Sequence, residues 1–160
     1  MTRLACASVI AAPPSVIWDA LADFGNISRW VPLVQHSCLL SDQQGGAGAV
    51  RRVQIARQTL VERVTRWDAP ESLAYTIEGL PPIVGTATNT WILTPAGEVT
   101  EVTVTTAIET GFNPAKKLIA SKVLERMSLA SDAMLAGLNA EVARRGEAPG
   151  EALSNSEATR

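Results

Sequence analysis

Histidine occurs once in this chain of 160 residues, tyrosine once, and cysteine and phenylalanine twice each. Each scarcity removes a class of chemistry. Cys6 and Cys38 form no CxxC pair and have no histidine at ligand spacing, so no zinc or iron–sulfur centre and no metal is expected. His36 lies alone in an extended run, where a single histidine is ordinarily surface or hydrogen-bonded structure. No serine sits in a GxSxG elbow, so no nucleophile–base constellation can be read and no catalytic residue is assigned. "QQGGAGAV" joins two extended runs and reads as a hairpin turn, not a phosphate loop. A basic excess is also missing: 14 Lys+Arg against 16 Asp+Glu give a formal net charge of −2, which argues against nucleic acid as a partner. No apolar run approaches the roughly 18 residues of a membrane span, so no integral membrane segment is expected. In "MTRLACASVIAAPP" the cysteine comes too early to leave an apolar h-region before it, and the stretch reads as a first strand. Without an export signal the expectation is a cytoplasmic protein with both thiols reduced.

What is present describes one soluble domain. Apolar residues make up 46% and charged residues 19%, and a chain of this length can bury a sizeable core. Residues 3–11 suit a strand. "PPSVIWDALADFGNISRWVP" follows, a short helix with Ile17, Leu21 and Phe24 on one face, broken near Gly25-Asn26, and a further turn stopped by Pro32. Six extended runs come next, at 33–41, 49–56, 58–67, 73–79, 85–94 and 99–109, separated by short Gly/Pro turns as in an antiparallel meander. From Pro114 to about Arg145 the period changes to that of a helix. Ile119, Val123, Met127, Ala130, Met134 and Leu138 form one apolar stripe over about 30 residues, or roughly 45 Å. Residues 146–160 hold almost nothing apolar and read as a flexible tail after a single domain of residues 1–145.

"APPSVIWDALADFGNISRWVP", "LVERVTRWDAPESLAYTIEG" and the closing helix together resemble the START-like, or SRPBCC, superfamily, within it the polyketide cyclase/dehydrase-like bacterial branch. The resemblance implies an α+β helix-grip fold of the Bet v 1 type. In it a curved seven-stranded antiparallel sheet wraps a long C-terminal helix, and two short helices after the first strand close one end. Trp18 and Phe24 would pack under that end; Trp30 would either join them or line a cavity mouth. The resemblance also implies a cavity between sheet and helix that takes a hydrophobic small molecule (a lipid, isoprenoid or polyketide); no cofactor is expected.

Alternation proposes the lining: Leu60, Glu62 and Val64 from one strand, Tyr75 and Ile77 from the next, then Thr88 and Thr90, then Val102 and Val104. Met127, Ala130 and Met134 would come from the helix, methionine being adaptable to irregular ligands. Glu62 is the informative residue. Facing inward it would be a buried carboxylate, able to anchor a ligand hydroxyl or act as acid/base. In the opposite register Val61, Arg63, Thr65 and Trp67 face inward and Glu62 meets solvent. Three function classes stay open: a carrier of a hydrophobic ligand, a cyclase or dehydratase using Glu62 and Tyr75, and a protein-interaction or chaperone-like module. A monomer or weak dimer is expected.

Overall fold

The computed structural model describes the backbone of residues 1–157 and the side chains of residues 1–147. Strand β1 (Thr2–Ile10) leads into helix α1 (Pro14–Ala22) and a 3-10 segment (Phe24–Arg29). Strands β2 (His36–Leu39), β3 (Val50–Ile55), β4 (Gln58–Asp68), β5 (Ser72–Glu78), β6 (Ala87–Ala96) and β7 (Val99–Ile108) follow, and helix α2 begins at Pro114. The sheet has seven antiparallel strands in the order β1-β7-β6-β5-β4-β3-β2. Only the β1–β7 neighbourhood departs from sequence order, because the chain returns to its first strand after five hairpins. The result is the helix-grip arrangement: α2 packs on β1 and β7 and touches α1. Among the described residues no helix is long and apolar enough to cross a membrane.

Proline sets the start of α1. Pro13 has extended backbone before the helix and Pro14 occupies its first turn, where a missing N–H leaves no hydrogen bond unmade. The helix ends earlier than the Gly25 break suggests, at Ala22. The 3-10 segment then bends at Asn26 (φ −105°, ψ 24°), whose Nδ2 donates to Asp23 Oδ1 at 2.8 Å. Gly25 lies inside that segment, and a Cβ there would stand 2.7 Å from Leu39 Cγ. This broken element is the end cap. Trp18 meets Trp67 edge-on at 5.3 Å, Phe24 meets Tyr75 at 5.8 Å, and Trp30 meets Trp91 at 6.3 Å. All three cap aromatics are buried, which settles Trp30 in the core.

Helix α2 differs from expectation in two ways. Its helical backbone continues past Arg145 to Glu157, through the Glu, Ala and Leu of "EAPGEAL", which are good helix formers despite Pro149. Residues 158–160 of the expected tail lie outside the described residues. The buried stripe of α2 is also rotated. Ala120, Leu124, Ser131, Leu135, Leu138 and Val142 face the core, while Ile119, Val123, Met127, Ala130 and Met134 are only partly buried. The two sets lie about one residue apart around the helix, and Leu124 and Leu135 take the interior in place of Val123 and Met134.

Gly137 explains how the cap and the long helix meet. A Cβ at that position would overlap the Trp30 carbonyl oxygen, so the backbone after the 3-10 segment crosses directly over this glycine. Helix propensity alone would make Gly137→Ala stabilising by up to about 1 kcal/mol. The crossing reverses the sign: Gly137→Ala is expected to destabilise by about 1–3 kcal/mol, as overpacked sites do, read as a lowered urea midpoint at unchanged slope.

Candidate functional site

The inner face of the sheet is largely apolar; apart from Thr100, whose hydroxyl donates to the Ala12 carbonyl at 2.7 Å, its polar side chains gather at one place. Leu60, Val64, Leu73, Ile77, Val102 and Val104 are buried there, and among them lies a connected set of polar side chains. Arg51 and Glu62 are directly paired across β3 and β4. Arg51 Nε donates to Glu62 Oε2 at 2.5 Å and its Nη1 donates to the Phe24 carbonyl at 2.9 Å. The guanidinium carbon lies 3.9 Å from the Phe24 ring centroid and 4.9 Å from that of Tyr75, within cation–π range. Next along the face, the Tyr75 hydroxyl accepts from Asn89 Nδ2 and from Trp91 Nε1, both at 3.3 Å. Thr106 Oγ1 completes the set by donating to Asn89 Oδ1 at 2.7 Å.

Strand register produces this gathering. Asn89 pairs with Tyr75 on one side and Thr106 on the other, and Trp91 pairs with Val104. Residues directly opposite one another point to the same face, so one inward row supplies tyrosine, asparagine and threonine. The inward Glu62 register is the observed one, and Trp67 nevertheless turns inward as well. A bulge between Val64 and Arg66 shifts the β4 pairing by one residue, so the strand presents Glu62 before it and Trp67 after it to the same side.

Of the residues expected to line a cavity, Leu60, Glu62, Val64, Tyr75, Ile77, Val102 and Val104 lie on the inner face. Met127 and Met134 pack at the border of the core, half-buried, and Ala130 is half-buried between them in sequence. Thr88 and Thr90 are a correction. They lie on the outer face, where with Arg3, Ile92 and Thr105 they line an open groove of about 350 Å³. The inward row of β6 is Ala87, Asn89, Trp91 and Leu93, because burying Trp91 and Leu93 outweighs burying two threonines. Arg51, Asn89, Trp91 and Thr106 join the site without having been singled out by alternation. One signal points to the β6 row: Trp91 and Leu93, two residues apart, are the largest apolar side chains that share a face there. Beyond the cap a second cleft of about 470 Å³ opens between the 3-10 segment and β2, lined by Asp23, Phe24, Ser37, Cys38 and Gln44 among others.

Burial changes what these groups can do. The Glu62 carboxylate is engaged by the Arg51 guanidinium. Burial pushes the Tyr75 hydroxyl above its usual value of 10.0, and the Glu62 charge adds to the rise. The Arg51 charge and the bonds from Trp91 and Asn89 oppose it. Tyr75 therefore stays a neutral phenol through and beyond neutral pH, a hydrogen-bonding group and a weak acid.

Two expectations test this arrangement. Glu62→Gln leaves a buried guanidinium without its counter-charge and should cost about 3–5 kcal/mol, whereas Arg51→Met with Glu62→Leu should restore most of it. For Tyr75 the folded pKa is raised, so above about pH 10 the unfolded chain loses its proton first. The associated stability is complete below that pH and falls as pH rises through the folded value. Because the chain has one tyrosine, phenolate absorbance in an alkaline titration reports this group alone. It should appear only above about pH 10 and together with unfolding.

Comparison with known structures agrees with this architecture. The Zhui aromatase/cyclase from Streptomyces sp. R1128 superposes with a TM-score of 0.75 at 24% identity, over 93% of this chain and 98% of that one. Ara h 8.0201 superposes with a TM-score of 0.72 at 18% identity, over 89% and 98%. TTHA0849 from Thermus thermophilus gives 0.71 at 20% identity, over 90% and 99%. At such identities the likeness concerns the fold. No curated protein matches the chain in sequence. A family model described as polyketide cyclase / dehydrase and lipid transport matches residues 1–143, and the chain belongs to that family.

Proposed function

We propose that this chain binds or transports a hydrophobic small molecule bearing at least one oxygen, held between the inner sheet face and the Met127–Met134 side of α2. One observation carries the reading: an apolar interior that encloses a hydrogen-bonded row of Tyr75, Asn89, Trp91 and Thr106. An apolar core has no need of such a row, since each buried polar group costs free energy unless it is bonded. A ligand would take its affinity from apolar burial, at roughly 25 cal/mol per Å², and its orientation from the row. The interior side chains are closely buried in this structure. Entry is therefore assigned to the half-buried methionines, whose unbranched chains repack at low cost.

Catalysis is the weaker reading. Glu62, the partner that acid/base chemistry with Tyr75 would need, is engaged by Arg51, and Tyr75 is biased toward its neutral form. A single poised phenol supports orientation better than proton abstraction.

A matched pair of aromatic probes tests the reading. Naphthalene and naphthol should both bind by calorimetry with negative ΔCp, the mark of apolar burial. Tyr75→Phe should weaken naphthol by about 0.5–1.5 kcal/mol, one hydrogen bond's net worth, and leave naphthalene unchanged. If neither probe binds the folded protein, the interior is a filled core and the proposal fails.

A further inference from the structure

At the end of the sheet opposite the cap, the β5–β6 loop (79–86) and the β7–α2 loop (109–113) run side by side, joined by Glu109 N–H donating to Thr86 O. Three large apolar side chains stand out from this end: Phe112 is fully exposed, Leu118 is 65% and Ile83 50% exposed. The same place collects a charge that the chain as a whole lacks. All three lysines of the sequence, Lys116, Lys117 and Lys122, fall in the first turns of α2. Among the described residues none of them forms an ion pair. Asn113 Oδ1 accepts from the Ala115 and Lys116 amides, which fixes where the helix starts and therefore where the lysines stand.

This placement runs against local stability. The N-terminus of a helix is the positive end of its dipole and favours acidic residues, yet the first turn of α2 has none. Exposing a phenylalanine at a loop tip likewise contributes nothing to folding. Glu78 and Glu109 are the acids of this end, and Arg57, in the neighbouring β3–β4 turn, adds another cation. A local rule broken without compensation in the fold points to a function outside it.

We infer that this end docks on an anionic lipid surface, with Phe112, Ile83 and Leu118 entering the headgroup–acyl boundary and the lysines meeting the lipid phosphates. Peripheral membrane binding takes two signals, apolar insertion and charge, and both are present at this end of the molecule. Charge decides for an anionic bilayer over a second copy of the chain, whose net charge is −2 but whose matching end is the same cationic one. The surface is separate from the interior row, so this inference stands or falls apart from ligand binding.

Flotation of the full chain with vesicles tests it. Phosphatidylcholine vesicles containing phosphatidylglycerol should carry the protein, and pure phosphatidylcholine vesicles should not; ~1 M salt, which shortens the screening length to about 3 Å, should release it. Changing Lys116, Lys117 and Lys122 together to Gln should lower partitioning about 100-fold, each lysine near an anionic surface giving roughly a factor of five. Phe112→Ser should lower it about tenfold through lost apolar burial. Both variants change exposed side chains, so melting temperature and naphthol binding should match the parent. Failure to float with anionic vesicles, equal flotation with neutral ones, or undiminished binding by the variants overturns the inference. Retention of an acidic protein without vesicle binding overturns it too.

Discussion

The Arg51–Glu62 pair is the constraint on which the interior depends. Two charges taken out of water are expensive, and their attraction offsets that cost only when the remaining donors are satisfied. Here the guanidinium is satisfied on three sides: by the Glu62 carboxylate, by the Phe24 carbonyl, and by the faces of Phe24 and Tyr75. Those contacts come from β4, the 3-10 segment and β5. One side chain on β3 therefore fixes how the broken helical element sits on the sheet. It also sets the Phe24 ring against Tyr75, and with it the place of the hydroxyl that receives Asn89 and Trp91.

Much of the fold was legible because its signals are periodic. Alternation located the strands, and the Pro-rich cap with its three aromatics located the end closure. What was not legible depended on choices that periodicity leaves equal. Under strict alternation Glu62 and Trp67 demand opposite registers; only an irregular pairing buries both, and a bulge leaves no clear mark in sequence. The stripe of α2 had two solutions one residue apart that share Leu138, and the fold buries Leu124 and Leu135 in place of Val123 and Met134. Thr88 and Thr90 share a face by alternation, but alternation alone does not say which face of β6 is the buried one. The polar row could not be read because Asn89 and Thr106 are ordinary residues until pairing places them beside Tyr75.

Gly137 teaches the same lesson from the other direction. As a helix residue it is unfavourable, and sequence alone marks it as a weak point in α2. In the fold, the lack of a side chain is what lets the Trp30 carbonyl come so close. The weak point of one element is thus the joint between two, and the cap, the long helix and the sheet close on each other there.

The two ends of the molecule divide the physical work differently. At the cap, aromatic edges, an ion pair and a backbone crossing over glycine leave little freedom to move. Along the flank of α2, Met127 and Met134 pack on the core without being enclosed by it, and the helix start beyond them is exposed from Pro114 to Leu118. Stability is not uniform in such a structure, and the least enclosed segments open at the lowest free energy. In the proposed reading, a ligand would pass the methionine flank to reach a polar row whose geometry the rigid cap maintains. The methionine flank follows directly on the lysine-bearing start of α2. A lipid surface met by Phe112 and the lysines would therefore bear on the part of the wall least able to resist it.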